Sequence, residues 1–185
     1  MDPALPAGLR YVPDFVDAQE ETGLLEVLEA MAFSEVVMRG QVARRLVAHF
    51  GWRYGYESAR IEPGPPIPSA LSPLRARAAA LVAVPEEALA EVLITRYPPG
   101  AGIGWHRDAP QFGDVIGISL ASTCRMRFQR GTGDARETLA IDLAPRSAYV
   151  LAGAVRWAWQ HTIPALKSER YSITFRTLRA RGALA

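Results

Sequence analysis

His106 and Asp108 stand two residues apart at the end of the run Leu93-Ile94-Thr95-Arg96-Tyr97-Pro98-Pro99-Gly100-Ala101-Gly102-Ile103-Gly104-Trp105-His106-Arg107-Asp108. In an extended strand, residues i and i+2 project to the same side. An imidazole and a carboxylate would then reach one point, with Arg107 turned away. They supply two of the three ligands of a 2-His-1-carboxylate arrangement, which leaves open positions on a non-haem Fe(II) ion. One more histidine would complete it. The chain has three: His49, His106 and, far downstream, His161. His49 stands alone and is read as structural.

A second group lies in Arg170-Tyr171-Ser172-Ile173-Thr174-Phe175-Arg176. As a strand it puts Arg170, Ser172, Thr174 and Arg176 on one face and Tyr171, Ile173 and Phe175 on the other. The apolar face should pack under helices, leaving two arginines facing inward. A buried guanidinium is costly unless paired, and no acidic strand stands out as a partner in this half. An anionic ligand would supply the missing charge, and the planar fork of arginine suits a carboxylate. The alternative is an exposed edge strand bearing two surface arginines.

The order His-x-Asp, distant His, then Arg-Tyr-x-x-Thr-Phe-Arg resembles the AlkB-like family of Fe(II)/2-oxoglutarate dioxygenases. The resemblance implies that His106, Asp108 and His161 ligate Fe(II). It implies 2-oxoglutarate and dioxygen as co-reactants. Arg170 would clamp the distal carboxylate of 2-oxoglutarate with the Tyr97 hydroxyl, and Arg176 would lie near the metal and the keto-acid end. Thr95 and Ser172 stand where the family often has asparagine; a hydroxyl still hydrogen-bonds but is shorter. The implied reaction couples decarboxylation of 2-oxoglutarate to hydroxylation of a substrate C–H bond. Where that carbon is attached to nitrogen, the product releases an aldehyde. Nucleobase-repair members commonly carry an acid two positions after the metal aspartate. Here that position is Pro110. The Arg44 to Tyr56 stretch and Pro98-Pro99-Gly100 ahead of His106 look more like the branch that includes tRNA wobble-uridine hydroxylases.

The elements that must position these residues follow from periodicity. Leu9 to Phe15 reads as a short strand. Asp17 reads as a helix N-cap with Glu20 as its capping-box partner, followed by Leu24, Leu25, Leu28 and Met31 at helical spacing. Ser72-Pro73 opens a second helix, with Leu74, Ala78, Leu81 and Val82 as its stripe, and Pro85-Glu86-Glu87 begins a short third. Strands are expected near 92–97, 115–120, 125–130, 138–143, 147–152, 159–163 and 170–178. Such short, regularly spaced strands suggest a sandwich or barrel. Adding the resemblance, the expected fold class is α+β: a double-stranded β-helix (jelly-roll) core over about 91–179. N-terminal helices pack on one sheet, and a substrate-lid region falls within about 1–90.

Between the first two helices lies a stretch rich in bases and aromatics: Arg39, Arg44, Arg45, Trp52, Arg53, Tyr54, Tyr56 and Arg60, with Glu57 the one acid among them. Arginine pairs with phosphate and aromatic faces stack on exposed bases, so Arg44, Arg45, Trp52, Tyr54 and Tyr56 are candidate substrate-binding residues. A twisted hairpin with solvated arginines is the equally weighted alternative. Glu62-Pro63-Gly64-Pro65-Pro66-Ile67-Pro68 must be irregular, since proline lacks the donor a ladder needs.

At 185 residues, one domain is the default. A net charge of +2 concerns association rather than fold. A single cysteine, Cys124, excludes an intramolecular disulfide and a cysteine-based zinc site. No apolar run reaches membrane-spanning length, and the N-terminus has no signal-like h-region, so a cytoplasmic monomer is expected. The functional expectation is oxidative demethylation or hydroxylation of alkylated bases in DNA, RNA or tRNA. The alternatives are the same chemistry on a protein or small molecule, or a non-catalytic nucleic-acid-binding module.

Overall fold

The structure is a computed structural model that describes residues 5–38, 40–55 and 60–179. In chain order its elements are β1 (Leu9–Val12), α1 (Ala18–Glu29), β2 (Ser34–Met38), β3 (Gln41–Gly55), β4 (Arg60–Pro63), α2 (Ser72–Leu81), β5 (Leu89–Tyr97), β6 (Ile103–His106), β7 (Phe112–Leu120), β8 (Cys124–Arg130), β9 (Glu137–Leu143), β10 (Ser147–Leu151), α3 (Gly153–Ala158), β11 (Gln160–Ile163) and β12 (Arg170–Leu178). The strands form two antiparallel sheets. The larger runs β1-β10-β7-β12-β5-β3-β2, with β4 hydrogen-bonded to β3; the smaller runs β6-β11-β8-β9. From β5 onward the chain passes repeatedly between the sheets, as a double-stranded β-helix must.

Strand parity explains how one sheet serves two purposes. On β12, Tyr171, Ile173 and Phe175 join Ile94, Ile116 and Ile118 in a core capped by Leu24 and Leu28 of α1 and Leu74 and Ala78 of α2. The alternate residues Arg170, Ser172, Thr174 and Arg176 are also buried, on the face toward the smaller sheet. Both faces of this strand are therefore closed to water, which the exposed-edge alternative does not allow. A second core of Val115, Met126, Phe128, Tyr149 and Ile163 fills the space between the sheets. Gly117 has no room for a side chain: a Cβ there would collide with the Tyr149 ring.

Asp17 caps α1 as expected, accepting from the Glu20 amide at 2.8 Å. The Glu20 carboxylate is instead taken by Arg77 of α2 at 2.7 Å, which ties the two helices together. Glu21 also pairs with Arg146 at 3.2 Å, while Asp17, Glu26 and Glu29 on the outer face are exposed. The short third helix is a single 3-10 turn, Glu86–Ala88. No helix among the described residues is long and apolar enough to cross a membrane.

Candidate metal centre and co-substrate cavity

Two neighbouring strands bring the distant histidines together. β11 pairs with β6 so that His161 lies directly opposite His106, and their ring centroids are 4.3 Å apart. Asp108 follows two residues beyond, with Oδ2 3.6 Å from His161 Nε2. One ligand-type atom from each of the three lies within 4.8 Å of the others. His106 Nδ1 donates to the Gly104 carbonyl at 2.9 Å. A carbonyl only accepts, so that bond fixes the tautomer and leaves Nε2 with its lone pair for a ligand.

The protonation states suit a cation. Burial pushes the His161 pKa down to about 4, against the opposing pull of Asp108. Burial also lowers that of His106. Both imidazoles are therefore neutral at physiological pH, the form that binds metal. For Asp108, burial alone would raise the pKa. The Arg176 guanidinium, then His161 and His106, outweigh it and hold the carboxyl well below the usual range.

Arg176 is the hinge of a buried charge network. Its Nε donates to Asp108 Oδ1 at 3.0 Å and a second nitrogen reaches the same oxygen. Its Nη1 donates to Glu91 Oε2 at 2.7 Å. Glu91 is only 1% exposed and sits opposite Arg176 in the β5–β12 register. This corrects the expectation that no acid in this half partners the arginines. Glu91 also faces His49, whose Nδ1 lies 3.5 Å from its other oxygen.

Arg170 behaves differently. It is 0% exposed, and its Nε donates to Ser119 Oγ at 2.9 Å. Its guanidinium carbon lies 5.3 Å from the centre of the Tyr97 ring. Both terminal nitrogens, Nη1 and Nη2, have no hydrogen-bond partner. A buried guanidinium edge left open is expensive, and a carboxylate is the group whose geometry matches it. Thr95 and Ser172 lie opposite each other between these strands, and Ser172 Oγ is 3.3 Å from Thr174 Oγ1. The donor set and the open fork together fit Fe(II) and a dicarboxylate co-substrate.

A cavity of about 460 Å³ opens over His106, Asp108, His161 and Arg176; Tyr97, Tyr149, Ser172 and Thr174 also line it. Of the candidate substrate-binding residues, Arg45 lines this cavity. Arg44 is exposed and lies against Gly100, where a Cβ would be 2.7 Å from its Nη1. Trp52 is 41% exposed and is not part of the cavity wall. The Tyr54 side chain, Tyr56 and Arg39 lie outside the described residues. Sequence reasoning missed Glu91, Trp105 and Tyr149, and set His49 aside as structural; all four line the cavity. For Glu91 a signal was present: it shares strand parity with Thr95 and Tyr97.

An iron-type triad, an open buried arginine fork and a double-stranded β-helix define an Fe(II)/2-oxoglutarate oxygenase. A sequence profile of the 2OG-Fe(II) oxygenase superfamily matches residues 8–176, and the chain belongs to that superfamily of oxidoreductases. Within it the chain is similar to AlkB-named proteins. It is 30% identical to an Arabidopsis thaliana protein named alkylated DNA repair protein ALKBH8 homolog, over 93% of this chain and 58% of that one. It is 28% identical to the Xenopus tropicalis tRNA (carboxymethyluridine(34)-5-O)-methyltransferase alkbh8, over 88% of this chain and 26% of that one. The chain thus spans little more than half of one relative and about a quarter of the other. Among solved structures, OsALKBH1 superposes with a TM-score of 0.71 at 14% identity, covering 95% of this chain and 99% of that one. A 2OG-Fe(II) oxygenase family oxidoreductase from Burkholderia pseudomallei gives 0.63 at 16%, covering 95% and 87%. At such identities these two bear on the fold alone.

Proposed function

We propose that this protein oxidises a modified base in nucleic acid, by hydroxylation or by demethylation through hydroxylation. The observation that carries the oxygenase chemistry is the open Nη1/Nη2 edge of Arg170 on β12, the same strand whose Arg176 holds Asp108 of the His106–Asp108–His161 cluster. When bound, Fe(II), 2-oxoglutarate and dioxygen supply oxidation of a C–H bond to C–OH, with 2-oxoglutarate passing to succinate and carbon dioxide. The residues of the chain hold and orient. His106 and His161 offer neutral nitrogens, and Asp108 offers a carboxylate that Arg176 keeps ionised. Arg170, with the Tyr97 hydroxyl, receives the far carboxylate of the co-substrate. Apolar walls from Val47, Leu93 and Met126 exclude water from the remaining space, which strengthens those charges.

The nucleic-acid assignment draws support from the names of the relatives, one an alkylated DNA repair protein homolog and one a tRNA carboxymethyluridine(34) methyltransferase. A base-sized cavity flanked by Arg45 and Arg107 agrees with it. The test is a panel of methylated DNA, RNA and tRNA incubated with Fe(II), 2-oxoglutarate and oxygen, with products read by mass spectrometry. Oxidation of a base, abolished by His106→Ala, is expected. Succinate release with no base oxidised across the panel would move the substrate to a peptide or small molecule.

A further inference from the structure

Two tryptophans stand in solvent, Trp105 at 43% exposure and Trp157 at 40%. Indoles are usually well buried, and exposed ones flanked by cations point to a partner. Trp105 forms part of the cavity wall next to His106, and Arg107 follows two positions on. Arg107 Nη2 donates to the Ala158 carbonyl at 3.4 Å, which carries its charge to the end of α3. Trp157 precedes Ala158, and its ring has the guanidinium carbons of Arg156 and Arg179 at 4.4 and 4.7 Å from its centre. The rim therefore passes from Trp105 to Arg107, which reaches Ala158, and on to Trp157 and Arg179, Arg156 being buried against backbone carbonyls.

We propose that this rim, Trp105–Arg107–Trp157, is a ledge that binds the nucleotides flanking the target base in single-stranded nucleic acid. The proposal rests on the nucleic-acid reading above and names the surface and the strand form. A base that enters the cavity must leave its stack. Its neighbour then presents a bare face at the mouth, where Trp105 can replace the lost partner. The intervening phosphates fall toward Arg107. Aromatic faces alternating with cations suit a single strand, whose bases are open to stacking. In a duplex those faces are covered by adjacent base pairs. The ledge is separate from the β3 stretch that carries Trp52.

The experiment measures anisotropy of a short fluorescein-labelled oligouridylate, single-stranded or annealed to its complement, with the full chain. The single strand should bind more tightly than the duplex. Trp105→Ala should weaken single-strand binding about tenfold, and Trp105→Phe less. Arg107→Gln should flatten the dependence of log affinity on log salt by about 0.7. Arg125→Gln, whose parent pairs with Asp142 on the exposed β8–β9 hairpin, should leave both quantities unchanged. Circular dichroism melts check folding, and the Phe and Gln variants decide the matter if the alanine variant unfolds. If the wild type binds the single strand but the Trp105 and Arg107 variants match it, the ledge is refuted and the nucleic-acid reading stands. A duplex bound as tightly as the single strand also refutes the ledge. If the wild type binds neither probe, both fall.

Discussion

Arg170 lies directly opposite Tyr97 in the β5–β12 pairing, with its guanidinium over the tyrosine ring and two nitrogens unused. The fold thus buries a charge and leaves its binding edge open. Removing it should cost the co-substrate more than the metal. Arg170→Ala should weaken 2-oxoglutarate binding on the order of 100-fold, the loss of two charge-assisted hydrogen bonds. Arg170→Lys should retain part of the affinity, since an ammonium cannot present the fork. Titration of 2-oxoglutarate under anaerobic conditions, with metal affinity measured in parallel, separates the two effects.

Glu91 holds Arg176, and Arg176 holds Asp108. Glu91→Ala leaves a buried guanidinium with one partner, which should destabilise the fold by about 3 kcal/mol. Glu91→Gln keeps an acceptor and should cost less stability. It should still lower metal affinity about tenfold by loosening the group that orients Asp108. Urea unfolding reads the first effect and metal titration the second. A Gln variant with wild-type metal affinity would show that Glu91 only packs.

These two arginines show how far the sequence could be read. Parity along one strand is local, so the inward faces of β6 and β12 were legible from spacing alone. The helices α1 and α2 and most strands from β5 onward followed from periodicity in the same way. By contrast, β2 and β4 were not expected, β6 was read as extended only for the His106 and Asp108 pair, and β3, read as substrate lid or twisted hairpin, pairs with β5 in the larger sheet. Glu91 was not legible as a partner, because its role depends on a register between residues 85 positions apart. Trp105 was passed over because the metal motif gave it no task. α3 escaped notice because it is six residues long and lacks a capping side-chain bond, so no propensity signal marks it.

The metal-free protein should lose stability in acid over a defined window. The folded pKa of His161 is about 4 against an ordinary value of 6.5. Between those values the unfolded chain binds more protons than the native one, so stability falls as pH drops from about 6.5 toward 4. A loss of a few kcal/mol, roughly, corresponds to that shift. Urea midpoints measured across the window should decline, and His161→Gln should flatten the decline. An unchanged slope in that variant would assign the acid sensitivity elsewhere.

Gly117 makes room for the Tyr149 ring on the cavity wall. Gly117→Ala should force that ring aside and cost about 1–3 kcal/mol by overpacking. Tyr149→Leu in the same chain should recover part of the loss by removing the collision. Thermal melts of the single and double variants report the coupling.

The assembly of His106, Asp108 and His161 around one iron is tested most directly by anaerobic titration with Fe(II) in the presence of 2-oxoglutarate. The fold and site predict one iron per chain, a visible charge-transfer absorption on adding 2-oxoglutarate, and succinate on admitting oxygen. All three should be lost in His161→Ala. Iron and 2-oxoglutarate binding that survives intact in both His106→Ala and His161→Ala, or no iron held by the wild type, would contradict the account.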